Sequence, residues 1–173
     1  MTLAAFSLLL ALAPGQTTDG RASLLPAKDL ARLRAQKYRS LLPTQVPKGY
    51  KFDGLVFEGG KLPVQYSYQI DYRSKAGARL VLQMASDGFG DVILEDPEGN
   101  NVDFDKDTTG KNPIFGKFTL VYGFDQKKRA YSAIDWLTVP GKPLPSSVSA
   151  YGEGVSAAEL KKFAESLRWF KMR

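Results

Sequence analysis

The chain has 173 residues, is 43% hydrophobic, and carries 24 Lys plus Arg against 18 Asp plus Glu for a net charge of +6. That length suits one domain with a real core, and the composition is near the globular average. A disordered chain, a collagen-like repeat and a multi-span membrane protein are thereby excluded.

Cys and His are both missing. Disulfides, thiolate nucleophiles, Cys- or His-held metals and His-dependent triads go with them, leaving carboxylates, Lys, Tyr and Ser/Thr for any chemistry. No cofactor is expected.

Leu3 to Ala13 is an apolar run of eleven residues closed by Pro14-Gly15. A membrane span needs about 20 apolar residues, so the run reads as the hydrophobic region of a signal peptide, with Ala11-Leu12-Ala13 as a small-x-small cleavage site. Residues 1–20 are expected to be signal peptide and short linker, and 21–173 a single domain, exported and soluble once cleaved. No integral membrane span is expected.

A helix is predicted from Pro26 to Leu41, with Leu30, Leu33, Tyr38 and Leu41 on one face and Arg34 and Lys37 intruding on it. Pro43 and Pro47 stop it, and Pro47-Lys48-Gly49-Tyr50 turns into the first strand. From Leu62 to Tyr72 the pattern has period two, with Val64, Tyr66, Tyr68, Ile70 and Tyr72 on the apolar face. A hairpin leads into Arg79–Ala85, where Leu80, Leu82 and Met84 alternate again. Further strands are predicted at Asp91–Leu94, Asn101–Phe104, Phe115–Phe124 and Arg129–Val139, with a last edge strand at Ser147–Tyr151 after the Pro-rich break.

The closing segment carries a capping box, Ser156-Ala157-Ala158-Glu159, and a stripe of Leu160, Phe163, Ala164, Leu167 and Phe170. The sum is an α+β domain: an antiparallel β-meander of about six to eight strands with N- and C-terminal helices packed on one face.

Three stretches, Pro47-Lys48-Gly49-Tyr50, Trp136 and the Val155–Leu167 helix, resemble an uncharacterised family of bacterial extracytoplasmic domains found in sigma-factor regulators. That family looks distantly like carriers of the LolA and RseB type. The resemblance covers roughly Leu42 to Leu167. It implies a curved antiparallel sheet with helices against its inner face, a binding or sensing role, and no catalytic motif.

Tyr66, Tyr68 and Tyr72 place three hydroxyls on a face that otherwise reads as core, and each phenol needs a partner. With Leu82, Met84 and Trp136 opposite, they are candidates to line a groove for an acyl chain or a peptide with a polar end; the plainer reading is ordinary sheet–helix core. Asp103, Asp105 and Asp107 offer hard oxygens in the manner of a Ca²⁺ loop, but Thr108 and Ile114 stand where an EF-hand has its Gly and Glu. Charge is segregated: Arg21 to Lys51 holds eight basic residues and one acid, Asp87 to Asp107 eight acids and one Lys.

The expected function is a non-catalytic envelope module for an apolar or amphipathic ligand, such as a lipid or lipoprotein acyl chain, or for an envelope protein partner. The alternative is a structural protein docking its basic face on anionic polymer or lipid, and behind it a carboxylate-based enzyme. Nucleic acid is not an expected partner, since the chain is exported and has no clustered Arg/aromatic stripe.

Overall fold

The computed structural model describes residues 24–35, 39–58, 67–86, 93–139 and 146–170. They form helix α1 (Ala27–Ala35), strands β1 (Leu41–Pro43), β2 (Tyr50–Glu58), β3 (Ser67–Ser74), β4 (Arg79–Ala85), β5 (Lys106–Asn112), β6 (Gly116–Phe124), β7 (Ala130–Val139) and β8 (Ser146–Glu153), helix α2 (Ala157–Glu165) and strand β9 (Leu167–Trp169). Seven strands make one antiparallel sheet in the order β2-β3-β4-β8-β7-β6-β5, while β1 and β9 pair separately. The α+β architecture and the C-terminal helix on the sheet are as the sequence pattern predicts. The expected signal-peptide run lies outside the described residues.

The sheet is two meanders, β2-β3-β4 and β5-β6-β7-β8, joined where β4 pairs with β8. This moves the expected edge strand to the centre, because β8 is hydrogen-bonded to β4 on one side and β7 on the other. The prolines that signalled a break precede β8 rather than interrupting it, so its ladder with β4 is continuous from Ser147 to Glu153, while the ladder with β7 carries a register shift between Ile134 and Leu137. Gly152 lets Val155 settle on the strand, where any Cβ would collide with the valine side chain.

The β4–β5 connection has to travel from mid-sheet to the far edge, and its described part, residues 93–105, lies against the outer face. Leu94 and Val102 pack there on Tyr131, beside Phe104 and Tyr151. Where strands at Asp91–Leu94 and Asn101–Phe104 were expected, the described residues form a single bridge, Glu95 to Asn101; Asp91 and Val92 lie outside them. The chain then passes so close over β6 that a Cβ on Gly123 would strike the Asp103 carbonyl.

The other face carries the main core. Tyr68, Ile70 and Tyr72 of β3, Leu80, Leu82 and Met84 of β4, and Val148 and Ala150 of β8 meet Leu30 and Leu33 of α1 and Leu160, Phe163 and Ala164 of α2. The α2 capping box forms as its spacing predicts: the Glu159 amide donates to the Ser156 hydroxyl, and the Glu159 carboxylate accepts from the Ser156 amide.

Both helices are shorter than their apolar stripes. α1 ends at Ala35, and Leu41 belongs to a strand. α2 ends at Glu165, and Leu167 and Phe170 stay buried on an extended segment rather than a helix. Asn112 at the end of β5 enforces that stop: its side-chain amide donates to the carbonyls of Ala164 at 2.7 Å and Leu167 at 3.0 Å, taking up acceptors a helix end leaves unpaired. The chain then pairs with β1, and the Phe170 amide donates to the Ser40 carbonyl at 2.7 Å.

Candidate functional site: a cavity beside Tyr72

Tyr68 and Tyr72 stand four residues apart on the same face of β3, and their hydroxyls meet opposite fates. The Tyr68 hydroxyl donates to the Leu41 carbonyl at 2.7 Å and accepts from the Leu41 amide at 2.8 Å. It also lies 3.3 Å from the Met84 sulfur. Since β1 crosses above the sheet instead of joining it, Leu41 can turn its backbone toward the phenol. Tyr68 is therefore a brace inside the core, 2% exposed.

Tyr72 is 0% exposed, and its hydroxyl has no hydrogen-bond partner among the described residues. Its ring is well held, edge-on to Phe52 at 6.4 Å and to Phe163 of α2 at 5.9 Å between centroids. Burial pushes its phenol far above the ordinary value, so it stays protonated and keeps a hydrogen to donate. An unpaired buried hydroxyl is costly, and native proteins rarely keep one without a reason.

Tyr72 borders a cavity of about 450 Å³, lined also by Leu24, Leu25 and Pro26 at the entry to α1, Val46 of the β1–β2 link, and Tyr50, Lys51 and Phe52 of β2. The walls are mainly apolar. Tyr50 has its phenol raised by burial and then by the negative charge of Glu159. Leu24 and Val46 are only partly buried, so the cavity lies at the rim of the core rather than in its centre.

Of the residues singled out from the sequence, Tyr72 alone borders this cavity; Tyr68, Leu82 and Met84 are sealed in the core and do not line it. Tyr66 and the Trp136 side chain lie outside the described residues. The other lining residues escaped sequence reasoning. Tyr50 and Phe52 carried a signal, alternation at the start of β2, whereas nothing local marks Leu24, Leu25 or Val46, which the tertiary fold brings to Tyr72.

The carboxylates of the aspartate run do not come together at one point. Among the described residues no group of three or more possible ligands converges. β5 begins at Lys106, inside the run, and extended backbone spreads the three carboxylates; Asp103, Asp105 and Asp107 are all exposed, with Asp105 3.6 Å from the Lys106 ammonium.

The sheet's outer face carries a polar chain. Gln83 donates to Gln69 at 2.9 Å, Gln69 to Asp71 at 2.8 Å, and Arg79 pairs with Asp71 at 2.7 Å and Glu153 at 3.4 Å. Both Asp71 oxygens are engaged, one by Arg79 and one by Gln69, so this carboxylate is committed to holding β3, β4 and β8 together.

No protein-family model, no curated protein and no solved structure matches the chain. Among the described residues no helix is long and apolar enough to cross a membrane.

Proposed function

We propose that this chain is an exported, non-catalytic binding module that holds an apolar or amphipathic ligand in the cavity beside Tyr72. The observation that carries the reading is the mainly apolar space of about 450 Å³ at the rim of the core, between the entry to α1, Val46 and the start of β2. The cavity's 450 Å³ falls within the roughly 300–1,000 Å³ of small-molecule sites, and a mainly apolar wall with one or two placed polar groups is their usual make-up. Binding fits the wall better than catalysis does. Its titratable side chains are Tyr50, Lys51 and Tyr72, and both phenols are shifted upward, away from service as bases near neutral pH. The sequence resemblance to extracytoplasmic binding or sensing domains points the same way, and the Leu3–Ala13 run supports export.

Fluorescence of the neutral apolar dye aminoanthracene tests it. The native protein should enhance and blue-shift the emission saturably. Val46→Trp, which fills the partly buried rim, should abolish the effect while the urea midpoint stays near native. No saturable signal from native protein, or an unchanged signal with Val46→Trp, refutes the reading. Export is checked by N-terminal sequencing of the secreted or periplasmic protein, expected to begin between Pro14 and Asp19; an intact Met1 in a cytosolic fraction contradicts it.

Docking on anionic lipid or polymer is favoured by one observation. Three guanidinium groups near α1 and β9 stack on aromatic rings: Arg32 on Phe57 at 5.0 Å, Arg34 on Phe170 at 5.5 Å and Arg39 on Trp169 at 4.2 Å. This reading requires binding to anionic vesicles that weakens as salt rises; binding indifferent to salt rules it out.

A further inference from the structure

We infer that the ligand of this cavity is an amphipathic anion, a hydrocarbon chain with a carboxylate or phosphate head, its chain inside and its head at the mouth beside Lys51. The inference rests on the cavity's being a ligand site and deepens it by giving the ligand's charge.

Among the described residues that line the cavity, Lys51 alone carries a formal charge, and no Asp or Glu stands with it. Lys51 is exposed on β2, the outermost strand on its side of the sheet, and the alternation of the strand turns its side chain away from Tyr50 and Phe52. Its ammonium therefore stays in water at the mouth, while the apolar side chains and the Tyr72 ring make the interior. A ligand with a charged end fits that division without burying its charge, because the head keeps its water and only the chain leaves solvent.

The charges flanking the mouth have the same sign. Lys28, two residues past Pro26, and Lys48, between Val46 and Tyr50, are both exposed. Among the described residues none of the three lysines has an ion-pair partner. The acids next to them in α1 and β2 are already engaged, Asp29 by Arg32 at 3.0 Å and Asp53 by Arg73 at 2.9 Å. Glu159, which adds to burial in raising the Tyr50 phenol, is held at the start of α2 by the Ser156 amide at 3.0 Å and the Ser156 hydroxyl at 2.7 Å. An anionic head thus meets cations that lack a partner, whereas a cationic head would be set among three like charges. A neutral head would gain nothing from them.

Competition against aminoanthracene at pH 7 and low salt, with octanol, octanoate, octyl phosphate and octylamine, tests the inference on the full chain. Octanoate and octyl phosphate are each expected to displace the dye about threefold more tightly than octanol, the modest gain of an exposed ion pair, and the tighter of the two names the head group. Octylamine, a cation at this pH, should be the weakest of the four. The gain of the anions should fade as salt rises. Lys51→Gln, at an exposed position, should bring both anions down to octanol while leaving the affinity for octanol unchanged. Octanol or octylamine displacing the dye as tightly as the anions, or an anion gain that survives Lys51→Gln, overturns the inference and leaves the cavity reading intact. If the dye itself does not bind, both fail together.

Discussion

Tyr72→Phe removes a single oxygen, and its effect should be opposite to that of the same change four residues away. In Tyr72→Phe the ring keeps its edge contacts with Phe52 and Phe163, and what disappears is a buried hydroxyl with no partner. Leaving such a group unpaired costs about 1–3 kcal/mol, so its removal should stabilise the unliganded protein by about 1 kcal/mol at the lower end of that range. For a domain of this size, that is a rise in melting temperature of about 2–4 °C. Tyr68→Phe instead strips two bonds of 2.7 and 2.8 Å from the Leu41 carbonyl and amide and leaves those groups short of partners in the core. It should cost about 2 kcal/mol. Urea melts of both variants, with the slope of the transition checked against native, give the comparison directly. A Tyr72→Phe variant that loses 1 kcal/mol or more would show that its hydroxyl is paired in the folded protein and refute the reasoning.

Asn112→Ala removes the amide donated to the Ala164 carbonyl of α2 and to the Leu167 carbonyl of β9, which keeps its bond from Arg168, and should destabilise by about 1–3 kcal/mol in urea melts, more than the roughly 1 kcal/mol expected of the exposed cap change Ser156→Ala. Asp96 accepts from the Asn100 amide at 2.8 Å, from the Asn100 side chain, and from the Glu98 amide at 3.0 Å, with Lys127 nearby, and these interactions hold its carboxyl below the ordinary 3.8. Because the folded value is depressed, its support for the 96–100 turn is present above that ordinary value and is lost as pH falls through the folded one. An NMR titration should place the Asp96 midpoint below 3.8, and Asn100→Ala should move it back up; a midpoint at or above 3.8 in native protein contradicts the hydrogen-bonded turn.

Local patterns were legible where one face of an element is buried along its whole length. Arg79–Ala85 has the predicted bounds, and the Ser156–Glu159 box starts a helix at Ala157, because alternation and capping are decided by near neighbours. β5 was missed because its sequence, Lys-Asp-Thr-Thr-Gly-Lys-Asn, contains no apolar residue to alternate; its inward positions are Thr108, a Gly110 with no room for a Cβ against Phe118, and Asn112. The place of β8 in the sheet depends on its partners rather than on its own residues. Leu167 and Phe170 fit a helical stripe and a buried extended segment equally well, and the decision falls to Asn112 and to pairing with β1. For the site, three tyrosines on one strand signalled unusual polarity. Which hydroxyl was used and which was left over depended on β1 passing above Tyr68 and stopping short of Tyr72, a long-range event with no local trace.

The most direct measurement is a crystal structure of the protein grown with aminoanthracene. Ligand density is expected between Leu25, Val46, Tyr50, Phe52 and Tyr72. A cavity closed by its own side chains, with the ligand seated elsewhere or nowhere, would contradict the binding function.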